Sequence, residues 1–330
     1  MAADDLLTRA ASIADHVLFP AALDTDQADR IPATNLDALA AAGFYGLFSP
    51  REIGGLEADP TTAFGVIERL ASGCLTTAFT WLQHLGASVA VAMSDQSVRD
   101  QFGAAMANGT TRAGVAFAHL RRADPPPLVA ETSPAGWRLR GTAPWVSGWG
   151  MIDVVHVGAR HGNDVVWLLV DASEQLGLSV RRLDLAAVNA SHTVTAEFDL
   201  VIPGDRFVQA ESFATWRARD ALNLRPNGSL ALGITRRCAR LLDDPAWTTK
   251  LEVDRARLDA AAAEALPSAR AAATLSALHA AAAVVAAGSG RSIVRDSHAQ
   301  RLAREALFLL VQGRNPAIRA AQLEGLAPTT

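Results

Sequence analysis

Gln300-Arg-Leu-Ala-Arg-Glu-Ala-Leu-Phe-Leu-Leu-Val-Gln-Gly-Arg314 reads as an amphipathic helix that runs into a glycine stop. Leu302, Ala306, Leu309 and Leu310 recur at the three- and four-residue spacing that puts them on one face. Gly313 then supplies a residue that tolerates the left-handed turn closing many helices. The residue just before it, Gln312, carries an amide. An amide has no proton-accepting equilibrium near neutral pH, so it cannot take a carbon-bound proton as a carboxylate can.

Helical patterns lie on both sides of a strand-rich middle. In the first part, Asp59-Pro60 predicts an N-cap followed by proline at the first helical position. Ala63, Val66, Ile67, Leu70 and Ala71 then mark a buried helix face. An earlier helix carries Leu36, Leu39 and Ala40, with Gly43 placed to end it, and the almost wholly apolar stretch from Cys74 to Ser94 predicts a helix buried on most sides. In the middle, Trp137-Arg-Leu-Arg-Gly141 and Thr193-Val-Thr-Ala-Glu-Phe-Asp199 alternate as half-buried strands do. Val154-Val-His-Val-Gly-Ala159 and Val165-Val-Trp-Leu-Leu-Val170 are β-rich runs separated by the turn-like Arg160-His-Gly-Asn163. No helical pattern separates these strands, which favours a small antiparallel barrel or sandwich over a βαβ sheet. Leu230 to Leu242, the Ala-rich stretch with Leu275, Leu278, Ala282 and Val285, and the opening segment predict the last helices, with Asp243-Asp-Pro-Ala-Trp247 as a connection. The architecture expected is α+β and multidomain: an N-terminal α-helical domain over 1–112, a central small antiparallel β-barrel over 113–210 and a C-terminal helical bundle over 211–330.

Bulk properties narrow the function classes. Across 330 residues, half apolar and 19% charged, there is enough apolar side chain for a large core and too little charge for wholesale disorder. A net charge of -4, with Arg121-Arg122 and Arg236-Arg237 as isolated basic pairs, argues against nucleic acid as a partner. Cys74 and Cys238 fit no metal spacing and no disulfide framework, so each reads as a small buried residue. Met1-Ala-Ala-Asp-Asp5 lacks the basic and apolar regions of a signal peptide. The run from Ala271 to Gly288 is broken by Ser and His, as in a bundle helix and unlike a membrane span. A cytoplasmic protein without a membrane or a metal is the expectation.

Motifs from all three parts resemble the acyl-CoA dehydrogenase superfamily. The opening segment is similar to that family's Arg-Leu-x-Arg-Asp-Ala helix followed by an apolar stretch and Glu-Gly-Thr. Leu39-Ala-Ala-Ala-Gly-Phe-Tyr-Gly-Leu-Phe-Ser-Pro-Arg-Glu-Ile-Gly-Gly55 resembles its Leu-Gly-x-x-x-Pro-Glu-x-x-Gly-Gly signature. Gly141-Thr-Ala-Pro-Trp-Val-Ser-Gly148 resembles Gly-x-Lys-x-Trp-Ile-Thr-Asn, and Val194-Thr-Ala-Glu-Phe-Asp-Leu-Val-Ile-Pro203 resembles the strand that closes the family's barrel. The resemblance implies FAD between the barrel and the C-terminal bundle. It puts Trp145 beside the isoalloxazine, with Val146 in the same strand and Ser147 standing for the Thr near flavin N5. Gly288 and Gly290 match the glycine-rich break that approaches the diphosphate. Read without the resemblance, Trp145 is a strand-core aromatic and Ser147 a turn residue.

The resemblance also exposes departures. Gln312 stands where many members carry the catalytic Glu, and Leu224, in Asn223-Leu-Arg-Pro226, stands where others carry it on an earlier helix. Ala116-Phe-Ala-His-Leu-Arg-Arg-Ala-Asp124 replaces the family's Thr-Glu-Pro-x-x-Gly-Ser-Asp loop, the Arg-x-x-Phe-Gly element has no counterpart after Leu242, and Val284 replaces a Gln before Gly288. Asp220 and Glu324 read as solvated surface charges. His119, beside Arg121 and Arg122, is a candidate for orienting an anion or moving a proton, against the alternative of an exposed loop histidine. His84 reads as a core histidine.

Three functions follow. One is an FAD-dependent oxidoreductase of this type with a non-standard or lost base, acting on a small molecule of the acyl-CoA class. Another is a flavin-dependent oxidase or monooxygenase on the same fold. The last is an inactive partner subunit or acyl-binding relative. The resemblance further implies a homodimer or homotetramer.

Overall fold

In the computed structural model, which describes residues 3–121, 125–220 and 224–328, helices come first and last and strands lie between them. The leading helices are α1 (Ala3–Ile13), α2 (Ala22–Gln27), α3 (Ala33–Ala41), α4 (Pro60–Gly73), α5 (Leu75–Ala92) and α6 (Gln96–Asn108). Strands β1 (Ala113–Ala116), β2 (Leu128–Ser133), β3 (Gly136–Val146), β4 (Val154–His161), β5 (Asp164–Asp171), β6 (Leu178–Arg182), β7 (Val194–Pro203) and β8 (Phe207–Ser212) follow. The last segment holds α7 (Phe213–Asp220), α8 (Leu224–Leu242), α9 (Pro245–Ala260), α10 (Leu266–Ala287), α11 (His298–Leu309) and α12 (Pro316–Leu326).

Local signals set several boundaries. The Asp59 carboxylate accepts a hydrogen bond from Thr62 N at 3.0 Å, so α4 starts with its cap and its proline in place. Gly43 follows α3 at φ +75°, the left-handed region expected of a residue ending a helix. Helix α5 is buried along most of its length, as its apolar sequence requires. The connection expected at 243–247 is instead the start of α9: Asp244 accepts from Ala246 N at 2.9 Å and Pro245 is the first helical residue. That helix is hard to see in sequence because only Leu251, Asp254 and Leu258 are buried on it, too thin a stripe to stand out among its charges.

The strands form one sheet in the order β6-β7-β3-β2-β4-β5-β8, with β1 parallel beside β4. Most neighbours are antiparallel, and β2 adds a single parallel pairing to β4. Both faces of β4 are covered. Val155, Val157 and Ala159 join the core of the sheet itself, while Val154 packs with Leu120, Trp167 and Trp216 against Ala87, Val91, Phe102 and Met106 of α5 and α6. His84 fastens this seam: its Nε2 donates to Met106 O and its Nδ1 accepts from Ala113 N, both at 3.0 Å.

A second core joins the first and last helices. Leu70 and Ala71 of α4, Leu230 and Ile234 of α8, Ala277 of α10 and Leu302 of α11 share one apolar cluster. Helix α10 is long and apolar enough to cross a membrane by length and composition, yet half of it is buried inside the protein, where it packs on α8, α9, α11 and α12. Helix α4 crosses α8 closely. A Cβ on Gly233 would lie 2.5 Å from Ala71 Cβ and 2.6 Å from Glu68 O, so only glycine fits there. Gly233→Ala is therefore expected to lower stability by roughly 1–3 kcal/mol through overpacking against backbone, to be read in denaturant unfolding.

Candidate functional site

Pairing of β3 with β7 slips between Ala143 and Val146, and this bulge decides where Trp145 points. Val146 stays fully buried in the sheet core, whereas Trp145 takes φ +65° and is 51% exposed. The strand-core reading of Trp145 is thus overturned, because the bulge turns its indole outward. Left-handed backbone at a bulky residue costs about 1–2 kcal/mol, and Val188 (φ +51°) and His192 (φ +45°) add two more such positions in the adjoining loop.

Ser147 is buried in the link that follows β3. Its Oγ lies 2.7 Å from Thr193 Oγ1, which lies 2.8 Å from Ser191 Oγ, a chain of three buried hydroxyls. Gly148 N donates to Ser191 O at 2.7 Å and holds the two loops together. Across from Gly148 stands Thr80 of α5. Thr80 Oγ1 and the neighbouring Trp81 Nε1 are buried without a hydrogen-bond partner.

The same turn of α5 reaches the helix that precedes Gln312. Phe79 packs edge-on against Phe308 of α11 at 5.0 Å, and Phe308 O accepts from Gln312 N at 3.1 Å. Helix α11 ends at Leu309, so Gln312 sits in the turn beyond it, with Gly313 at φ +59°. Arg270 of α10 donates from an Nη to Gln312 Oε1 at 2.9 Å, and Gln312 Nε2 donates to Asn227 Oδ1 of α8 at 2.8 Å. Arg270 is fully buried, and its other described partners are Thr274 Oγ1 and Gln312 O. No carboxylate pairs with it among the described residues, and burial alone pulls its guanidinium down to about 10.

Sequence reasoning missed Arg270 and Asn227. A signal for Arg270 was present: apart from His279 it is the only basic residue in an Ala-rich helix without acids, and nothing local demands a charge there.

Other candidates separate from this cluster. His119 is buried, with Nε2 2.8 Å from Gly158 O, so it anchors the loop onto β4 and is not an exposed histidine. Asp220 is likewise no solvated charge: it accepts two bonds from Arg121 at 2.7 Å and its side chain is mostly buried. Arg122, Ala123, Asp124 and Asn223 lie outside the described residues. Leu224 is buried and apolar at the start of α8, and Glu324 is exposed on α12. Gly288 and Gly290 are exposed beyond the far end of α10. Gly288 stands eighteen residues from Arg270, roughly 27 Å along the helix axis. No group of His, Cys, Asp and Glu among the described residues could hold a metal. Cys74 and Cys238 are free and buried, and burial pushes the Cys238 thiol up to about 12. Two open surface clefts of about 460 and 560 Å³, the first lined by Asp29 and Arg182 and the second by Asp37 and Arg112, lie apart from Trp145 and Gln312.

Residues 2–110 match the family model described as acyl-CoA dehydrogenase, N-terminal domain. A 3-sulfinopropanoyl-CoA desulfinase of Variovorax paradoxus is 38% identical over 72 residues, 22% of this chain and 18% of that protein. The oxygenase subunit of a flavin-dependent monooxygenase from Rhodococcus jostii (strain RHA1) is 36% identical over 56 residues, 17% of this chain and 15% of that protein. The sequence matches therefore span less than a fifth of either relative's length. The structure of a glutaryl-coenzyme A dehydrogenase in its glutaryl-CoA complex superposes with a TM-score of 0.86 at 15% identity, over 98% of this chain and 95% of that one. At that identity the likeness is one of fold.

Two buried histidines give the protein an acid limit. Burial pulls both His84 and His156 down to about 4 from 6.5, and His156 stacks on Trp167 at 4.7 Å with Nε2 unpartnered. Above pH 6.5 neither state binds these protons; as pH falls toward 4 the unfolded chain takes them up and the folded one does not, so stability falls. Each contributes a loss of roughly 3 kcal/mol by pH 4. His156→Leu is expected to flatten the acid limb of a stability–pH curve measured in urea, relative to the parent protein.

Proposed function

We propose that the chain is a member of the acyl-CoA dehydrogenase superfamily, whose N-terminal domain residues 2–110 match and whose fold the whole chain shares, and that it is an FAD-dependent oxidoreductase acting on a small acyl-CoA without the carboxylate base of a standard dehydrogenase. The observation that carries this reading is the hydrogen-bonding of Gln312. Its amide oxygen is taken by Arg270 and one N–H by Asn227, so the side chain is held as a donor and accepts no substrate proton.

The residues near Ser147 fit an uncharged, hydrogen-bonding ring. Trp145 offers an outward indole, Ser147 a buried hydroxyl, and Thr80 Oγ1 an orphaned polar atom beside Gly148 that a ligand edge would satisfy. Bound there, FAD would supply the two-electron acceptor. The chain's own contribution is to orient the ring, exclude water with Phe79 and Phe308, and keep the acyl end beside an amide in place of a carboxylate.

A second reading, a flavin-dependent oxidase or monooxygenase, draws support from the similarity to the oxygenase subunit. The desulfinase, which by its name acts on an acyl-CoA bearing a 3-sulfino group, supports an acyl-CoA ligand and a reaction other than plain dehydrogenation. Exposed Ile293 and Val294 in the link between α10 and α11, Leu307 on α11 and Val311 just beyond it support a homodimer or homotetramer.

Purified protein is expected to show flavin absorbance near ~450 nm, present as isolated or after adding FAD. Protein that stays colourless in excess FAD would sink the reading. Anaerobic bleaching by saturated acyl-CoAs is expected to be slow or missing, and rapid stoichiometric bleaching would restore the standard dehydrogenase. Trp145→Ala is expected to weaken FAD retention about tenfold or more while leaving the melting temperature nearly unchanged, since a half-exposed indole contributes little to folding.

A further inference from the structure

The polarity of the Gln312 contacts can be assigned with no ambiguity about amide orientation. A guanidinium only donates, so the Gln312 atom facing Arg270 must be its oxygen. Its nitrogen then faces Asn227, which must present its own oxygen. One Gln312 N–H is spent on Asn227, and the second remains on a side chain that is half-buried and so open to a ligand. Behind this donor lies the full charge of Arg270.

Other buried charges among the described residues are paired with an opposite charge. Glu68 is met by Arg236 at 2.7 Å and Arg255 at 2.8 Å, Arg301 by Glu305 at 2.7 Å, and Arg237 by Asp15 at 2.6 Å. Arg270 is met by Thr274 Oγ1 and the oxygens of Gln312, and its Nε is buried without a partner. A buried cation answered only by neutral oxygens is costly. It also gives the open side of Gln312 a positive potential.

We infer that this position is built to receive an anion: the acyl group it takes carries a carboxylate or similar oxyanion close to its reacting carbons, which accepts the second Gln312 N–H and is held in the field of Arg270. Gln312 is the contacting residue, and Arg270 is a positioning residue that fixes the amide's polarity and supplies the charge. The inference rests on the reading of Gln312 as part of an acyl-CoA site and adds the class of acyl chain.

Two probes of nearly equal shape separate the alternatives: succinyl-CoA, with a carboxylate on C3, and butyryl-CoA, with a methyl there. Calorimetric titration of the full chain is expected to show succinyl-CoA binding about tenfold tighter or more. Gln312→Glu gives Arg270 an internal counter-ion, so it should raise the melting temperature without ligand and abolish the preference for succinyl-CoA. Arg270→Met should lose the preference and Arg270→Lys keep part of it, a pattern that a purely structural role for Arg270 would not produce. Equal binding of the two esters by the parent protein overturns the inference, as does a preference that survives in Gln312→Glu. If neither ester binds, the acyl-CoA reading has failed, and free succinate against succinamide decides this one. Thermal protection by succinate that Gln312→Glu removes sustains the anion site, and no protection overturns it.

Discussion

The crossing of α4 on α8 is the constraint on which the other placements depend. Gly233 lets the two backbones approach to a distance that no side chain on either helix would permit. Once they are that close, the carboxylate of Glu68 lies fully buried, where two arginines from α8 and α9 reach it. Burial works to raise its pKa, but the hydrogen bonds and charge of Arg255 and Arg236 bring it below the ordinary value. The carboxylate is then ionised and held from two sides. Residues separated by most of the chain become one helical body, and the sheet between them has to pack on its flank.

That packing links Ser147 and Gln312 to one and the same helix. Neither is set by its own strand or helix. Helix α5 runs through the middle, sealed to α6 and β1 by His84, and one turn of it carries both Phe79 and Thr80. Phe79 touches the helix that ends before Gln312, and Thr80 stands by the glycine after Ser147. The site is thus a seam between three segments that fold against a common helix. Its precision depends on α5 being rigid, which is what burial on most of its faces provides.

Sequence patterns carried the architecture because they are local. The Asp59-Pro60 cap, the spacing of Ala63 to Ala71 and the alternation in Trp137 to Gly141 each act over a few residues, and each appears in the structure as a helix start, a buried face or a strand. Site features escaped because they depend on partners far along the chain. Arg270 and Gln312 are 42 residues apart and Gln312 and Asn227 are 85 apart. Trp145 faces outward because of a register shift against β7, which the residues around it do not encode by themselves. His119 and Asp220 looked like surface groups for the same reason: the β4 carbonyl and the arginine that bury them lie elsewhere in sequence or belong to another segment.

Gln312 looked at first like a deletion of function, a carboxylate replaced by its inert amide. Its surroundings argue for a different kind of change. With a carboxylate at 312, Arg270 would have a counter-ion, the pair would be neutral, and the carboxylate would be held ionised and stripped of much of its basicity by the adjacent guanidinium. With an amide there, the same arginine keeps its charge unanswered in the interior, and the amide is turned so that it can only donate. A pocket with no ligand gains nothing from that arrangement, since an apolar side chain of similar volume at 270 would avoid the desolvation of a guanidinium and commonly matches or exceeds a buried charge in stability. On the proposed reading, an anion before Gln312 offsets the part of that cost which the oxygens of Thr274 and Gln312 leave. On that reading, the amide at 312 therefore gives the position a donor that receives an anion, where a carboxylate would be an ionised partner of Arg270.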